Sequence, residues 1–256
     1  MSSRQRLEIW KRIETIGDIA VIGIPFDVSP KDLVPFAEQI MKDNPHVKSV
    51  WGRLRGTEGD YRLSHYVHLL GDKRSETIYR ENGASFFLDF TKVFFSQTLS
   101  YEHNRIPSMV RKGEVVINMF SGYGSFSILS LLKGAGKVYS IDLNPFAYYY
   151  TLVNLELNKA YGVIPILGDA FKKIYRLEEA DRIICPLPER DEEAFEVAKQ
   201  RVKGKGNSFI HLFARIQVKK GEDPRKVALQ KFKGEFARIV RSVKPGLYHV
   251  VVDIRV

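Results

Sequence analysis

The stretch Val115-Val116-Ile117-Asn118-Met119-Phe120-Ser121-Gly122-Tyr123-Gly124 decides the fold. Its first half is a short apolar run, the mark of a strand buried on both faces. Its second half is a glycine turn, and the apolar residues 125–133 that follow have the length of a helix. Strand, turn and helix in this order bring bare backbone to a place where a ligand can approach closely. Downstream, residues 137–143 read as a second strand. Asn144-Pro145 then opens a helix that runs to Asn158, with Asn as its cap and Pro in its first turn. Strands recur at residues 163–167, 182–185 and 208–216, with helical segments between them, notably 192–203. Such alternation predicts an α/β domain with a doubly wound parallel sheet. Residues 237–243, the turn Lys244-Pro245-Gly246 and residues 248–256 predict a closing antiparallel hairpin. A simple dinucleotide fold lacks that hairpin; class I methyltransferases have it.

Upstream the pattern is different. Residues 19–25, 47–54, 65–70, 75–80 and 85–89 read as strands, and residues 30–41 as a helix with Leu33, Phe36, Ala37 and Ile40 on one face. A further helix is expected near residues 98–105. This predicts a small α+β domain, residues 1–107, with a mostly antiparallel sheet. The boundary falls near Pro107-Ser108, and residues 108–256 form the Rossmann-type domain.

The chain has 256 residues, 44% of them hydrophobic and 27% charged, so a core that needs no staples is expected. The single cysteine, Cys185, cannot form an internal disulfide, and no Cys/His group has metal spacing. The N-terminal residues carry no apolar signal core, and no run is long enough to span a membrane. A cytoplasmic monomer without metal is the expectation. The net charge of +10 favours a polyanionic partner, most simply nucleic acid.

Features at successive strand ends define the ligand. Phe120, Ser121, Gly122 and Gly124 form the loop, and Phe126 enters the helix after it. Asp142 ends the second strand, where a carboxylate can accept both ribose hydroxyls of an adenosine, and Leu143 lies beside it. Asp169 and Ala170 close the third strand, suited to the adenine amino group. Cys185-Pro186-Leu187-Pro188 closes the fourth and exposes backbone at the ligand edge. Nicotinamide cofactors compete for this pattern. They explain Gly122, Gly124 and Asp142, but the third glycine of their fingerprint is replaced by Ser127, and the hairpin is foreign to them. S-adenosyl-L-methionine fits better.

The segment Leu88-Asp89-Phe90-Thr91-Lys92-Val93-Phe94-Phe95-Ser96, followed by Glu102 and Arg105 and then by the glycine loop, resembles the archaeal-eukaryotic tRNA (guanine-N1) methyltransferase family. The wybutosine aminocarboxypropyltransferases are a similar sister group. Ile141-Asp142-Leu143-Asn144-Pro145 and residues 248–256 extend the resemblance. It implies that S-adenosylmethionine is bound in a bent shape, and that the purine at position 37, next to the anticodon of a tRNA, is the target. It implies that Glu102 is the general base and that Arg62, or else Arg53 or Arg55, holds the base or its phosphate. It also implies that Ser96 and His103 contact the methionine end of the cofactor. The family has an arginine where His103 stands, so a permanent guanidinium is replaced by a mostly neutral ring, with Arg105 as a substitute cation.

The fourth strand departs further. Members that methylate N1 carry Asn-Leu-Pro there, and Pro186 takes the Asn position without any side-chain donor or acceptor. The aminocarboxypropyl group has Gly-Tyr there and an acidic-Lys pair after the second strand, neither of which this chain shows. The expected activity is N1 methylation of guanosine 37. The alternatives are C7 methylation of the tricyclic precursor 4-demethylwyosine, or aminocarboxypropyl transfer. A non-catalytic RNA-binding protein on the same fold is a reading of another class, which His103 and Pro186 motivate.

Overall fold

The computed structural model describes residues 13–54, 56–204 and 206–256, and these divide into two units between Gln97 and Thr98. The N-terminal residues and Arg55 lie outside the described residues. In the first unit the strands β1 (Ile13–Ile16), β2 (Ile19–Gly23), β3 (Ser49–Arg53) and β4 (Tyr66–Gly71) form one sheet in that order. The connection from β2 to β3 passes through α1 (Val34–Asp43), so this pair is parallel, and the outer pairs are antiparallel. The expected helical face holds: Leu33, Phe36, Ala37 and Ile40 are buried against Ala20, Ile22, Ile24 and Val50. The strands β5 (Glu76–Glu81) and β6 (Ala84–Asp89) form a separate hairpin. Asn82 and Gly83 turn it with φ of 50° and 82°, as a two-residue hairpin loop requires.

The second unit begins with α2 (Ser100–Ser108) and continues β7 (Val115–Asn118), α3 (Ser125–Leu132), β8 (Lys137–Asp142), α4 (Pro145–Asn158), β9 (Val163–Leu167), α5 (Ala170–Lys173) and β10 (Arg182–Cys185). It ends with α6 (Asp191–Arg201), β11 (Phe209–Gln217), α7 (Pro224–Phe232), β12 (Phe236–Lys244) and β13 (Leu247–Arg255). The expected boundary at Pro107-Ser108 is displaced, because those residues are the last turn of α2, which packs on α3. Pro107 costs that turn a backbone hydrogen bond without ending the helix. Glu102 therefore belongs with the glycine loop's unit.

Among the described residues the large sheet runs β12-β13-β11-β10-β7-β8-β9. Strands β7 to β11 are mutually parallel, and β13 is antiparallel to both of its neighbours. The strand order reverses between β7 and β10, and ligands of such sheets bind at the carboxyl ends beside that switch. This is the class I methyltransferase topology. Asn144 caps α4 by accepting from the Phe146 amide, as expected. No helix among the described residues is long and apolar enough to cross a membrane.

Candidate active site

The glycine loop is tied down from three sides. The Ser121 amide donates to the Ile141 carbonyl and the Gly124 amide to the Ser121 carbonyl. Gly122 and Gly124 have φ of 54° and 93°, which side chains rarely tolerate. A Cβ on Gly124 would also meet Thr151 at 3.2 Å. Two polar residues buried on α4 hold the loop's carbonyls. Thr151 Oγ1 donates to the carbonyl of Gly122 at 3.2 Å and Asn154 Nδ2 to that of Tyr123 at 3.0 Å.

Asp142 reaches the loop from the end of β8. Its carboxylate accepts from the Gly122 amide at 2.7 Å and the Asn144 amide at 2.9 Å, through different oxygens. The carboxylate keeps acceptor capacity for a further donor. Burial pushes this carboxyl above its usual range, outweighing the hydrogen bonds from Asn144, Gly122 and Leu143. Asp169 caps α5 by accepting from the Phe171 amide, and Ala170 is buried. Phe120 and Phe171 lie 5.5 Å apart, and Leu143 is exposed beside Asp142. Phe171 is the ring that reading by strand ends passed over.

The site fits S-adenosylmethionine. The loop is a backbone cradle that side chains would fill. Asp142 offers acceptors from a recess. Oδ1 of Asn118, at the end of β7, is buried without a hydrogen-bond partner, while its Nδ2 donates to Ser127. A buried acceptor left open is costly in the free protein and suits a ligand donor.

Other expected residues are placed less openly. The Cys185 side chain is wholly buried, with its thiol against Met119 Sδ and pushed up by burial, so only its backbone can serve a ligand. Pro186 is half-buried just beyond β10. Phe126 is buried and meets His103 edge to face. His103 is buried too, with Nε2 3.1 Å from Ser125 Oγ. Arg62 and Ser96 lie in the first unit, and Arg62 adopts a left-handed φ of 56°. Arg53, the alternative to Arg62, is engaged by both carboxylate oxygens of Glu14.

Glu102 is not a solvated helix carboxylate. It has 0% exposure, with Oε2 accepting from Arg105 at 2.7 Å and Oε1 from Arg238 at 2.9 Å. Arg105 also forks onto Asp253, at 2.5 and 3.0 Å. Its expected role as a substitute cation for the cofactor is thus already taken. The chain of contacts continues from Asp253 to His211 Nδ1 at 2.6 Å, from His211 Nε2 to Arg182 at 2.6 Å, and from Arg182 to Glu114 at 2.9 Å. With His211 neutral, the charges in this buried row cancel. A guanidinium only donates, so His211 Nε2 accepts and Nδ1 carries the hydrogen given to Asp253. Burial lowers the His211 pKa, and the arginines add to that, against the pull of Asp253. Burial opposes ionisation of Asp253, but hydrogen bonds from His211 and Arg105 win and hold it well below the usual carboxylate range.

A histidine depressed on folding contributes stability that is fully present above its unfolded pKa, about 6.5, and is lost as pH falls toward the folded value. The loss runs at up to about 1.4 kcal/mol per pH unit. His211→Gln keeps one acceptor for Arg182 and one donor for Asp253 without titrating. Urea midpoints between pH 7 and 5 should fall less for this variant than for the wild type; parallel falls would show that His211 is not the group being protonated.

Comparison with known proteins follows the same line. Residues 77–233 match the TRM5/TYW2 methyltransferase domain. The chain is 61% identical over 250 residues to tRNA 4-demethylwyosine(37)-methyltransferase Taw21 of Saccharolobus solfataricus, covering 97% of this chain and 95% of that one. It is 35% identical over 258 residues to tRNA (guanine(37)-N(1))-methyltransferase Trm5b of Pyrococcus abyssi, covering 95% of this chain and 74% of that one. The crystal structure of that Trm5b superposes with a TM-score of 0.85 at 33% identity, covering 100% of this chain and 78% of that one. The M. jannaschii TYW2 structure in complex with AdoMet superposes with a TM-score of 0.65 at 26% identity, covering 96% of this chain and 100% of that one. The cofactor cradle, the strand order and these likenesses converge, and the chain belongs to the TRM5/TYW2 family of S-adenosylmethionine-dependent tRNA methyltransferases.

Proposed function

We propose that this enzyme methylates the tricyclic base 4-demethylwyosine at position 37 of tRNA, on ring carbon C7, in preference to N1 of guanosine. The observation that carries this reading is the 61% identity, over nearly the full length of both chains, with a protein named for 4-demethylwyosine, against 35% with one named for guanine N1. Pro186 supports it independently. A guanine-reading site gains from a side-chain amide beyond β10, and Pro186 has none; a tricycle whose N1 is already consumed does not need that amide.

The bound cofactor supplies an electrophilic methyl group on its sulfonium. The glycine loop and Asp142 orient it, the carboxylate receiving the ribose hydroxyls, with Asp169 and Ala170 at the adenine. Glu102 takes the proton that the ring loses as its carbon gains the methyl group, while the ring keeps the C–H electrons. Alignment of ring carbon and methyl supplies much of the rate. The first unit is a small RNA-positioning domain; Arg62 holds the base or its phosphate, and Ser96 contacts the methionine end of the cofactor. The enzyme works as a cytoplasmic monomer on the anticodon stem-loop, and its excess of basic residues makes binding weaken as salt rises.

The test is methylation of two tRNA preparations by the purified enzyme, one carrying 4-demethylwyosine and one guanosine at position 37, with nucleoside mass spectrometry of the products. A methylated tricycle with little 1-methylguanosine is expected. Comparable or higher kcat/KM on the guanosine substrate overturns the assignment.

A further inference from the structure

Glu102 cannot perform the role proposed above as it stands. A base must offer a lone pair to a proton on the bound ring. Glu102 has no exposed surface, and each oxygen accepts from a guanidinium. One of the two partners has to withdraw, and they are held very differently. Arg105 is 15% exposed, grips both oxygens of Asp253 and lies over the Phe236 ring. Arg238 is 34% exposed on the edge strand β12, reaches Glu102 through Nη1, and otherwise rests on the exposed ring of Tyr101.

The strand also leads from Glu102 toward the ligand edge. The pairing of β12 with β13 skips Val240. Arg238 and Arg241, opposite Val251 and His249, therefore face the same side as Asp253. Arg241 is exposed, and its Nε meets His249 Nδ1 at 3.2 Å. His249 Nε2 in turn faces Glu189, just past β10, at 3.6 Å. Two guanidiniums in a row thus run toward the carboxyl ends of the parallel strands.

We infer that Arg238 masks Glu102 in the free enzyme and is drawn off by a phosphate of the RNA substrate, which uncovers Oε1 for the ring proton. This rests on Glu102 being the base. A phosphodiester receives a guanidinium through two parallel hydrogen bonds, where Glu102 receives one from Arg238. Glu102 keeps Arg105 throughout, and the one negative charge left in excess in the row is neutralised when Oε1 takes the ring proton. The proton leaves the ring for Oε1, and its bonding electrons stay in the ring. Methyl transfer is thereby coupled to the arrival of the polyanion.

The experiment measures tRNA affinity against salt and methyl transfer at saturating tRNA, for the wild type, Arg238→Gln and Glu102→Gln. Arg238→Gln should raise the KM for tRNA several-fold, keep most of kcat, and reduce the slope of log affinity against log salt by about one phosphate contact. An unchanged slope with kcat reduced makes Arg238 a structural partner of Glu102 and overturns the mask. In the wild type, saturating tRNA should protect Arg238 from phenylglyoxal, read by peptide mass spectrometry. This holds even if the variant folds poorly, and unaltered modification also overturns the mask. Glu102→Gln at the wild-type rate removes the base itself. Loss of turnover in Glu102→Gln with an unchanged Arg238→Gln slope removes only the mask.

Discussion

Arg105→Met is expected to lower the unfolding free energy of the second unit by about 3–5 kcal/mol. The methionine replaces the bulk of the side chain but leaves two buried carboxylates facing a gap. Glu102 would retain Arg238, and Asp253 would retain His211, neither of which makes the forked contact that Arg105 makes. The cost is the stranded charge and not the lost attraction, so adding Asp253→Asn should recover part of it. Both tryptophans precede Thr98 in the sequence, so their fluorescence reports the first unit. Hydrogen exchange of the β11 and β13 amides is the suitable measure. A change under about 1 kcal/mol, as for a surface ion pair, would mean that the row is not electrostatically closed.

Glu102→Gln is expected to cut turnover by about 10²–10⁴-fold, the usual contribution of a positioned base, while S-adenosylmethionine still binds. Calorimetry against the cofactor and single-turnover methyl transfer separate the two effects. Gln is not neutral for the fold. It has one acceptor where the carboxylate has two, so an amide NH2 would face either Arg105 or Arg238. That costs about 1–3 kcal/mol, which is why the binding measurement must accompany the rate. A variant that binds cofactor and turns over at the wild-type rate would return Glu102 to a purely structural role.

Much of the second unit was legible because its signals are local. An apolar run before a glycine turn needs no partner to be read, and Asn144-Pro145 announces a helix by its cap alone. The same cue was present at Asp223-Pro224, where Asp223 accepts from the Arg225 amide, yet the helix from Pro224 to Phe232 went unread for want of a clear apolar stripe. β1 is four residues long, too short for its alternation to stand out. At the site, the residues facing the loop from strand ends were readable by position. Thr151 and Asn154 left only a faint mark, since Glu156 and Asn158 are polar residues of the same helix. The pairing of Arg105 with Asp253 left none, because 148 residues separate them and no periodicity links a helix to a strand so far away. That is also why the burial of Glu102 between two guanidiniums left no mark in the sequence.

The position of β13 in the sheet governs how the second unit is made. Among the described residues β12 pairs with no strand except β13, and β13 also covers the edge of β11. A nascent chain that has reached Lys244 therefore holds a strand with no neighbour and a parallel sheet with an open hydrophobic edge. The pairing of β13 with β12 is a local hairpin, but its pairing with β11 joins distant stretches of chain and is slow to form, since loop closure must precede its reward. Asp253 arrives with them, so until then Arg105 has only Glu102, and the buried row cannot close. Assembly of the charge network and completion of the sheet are one event. A chain truncated before Leu247 would hold the glycine loop complete but leave the β11 edge unpaired, which invites aggregation.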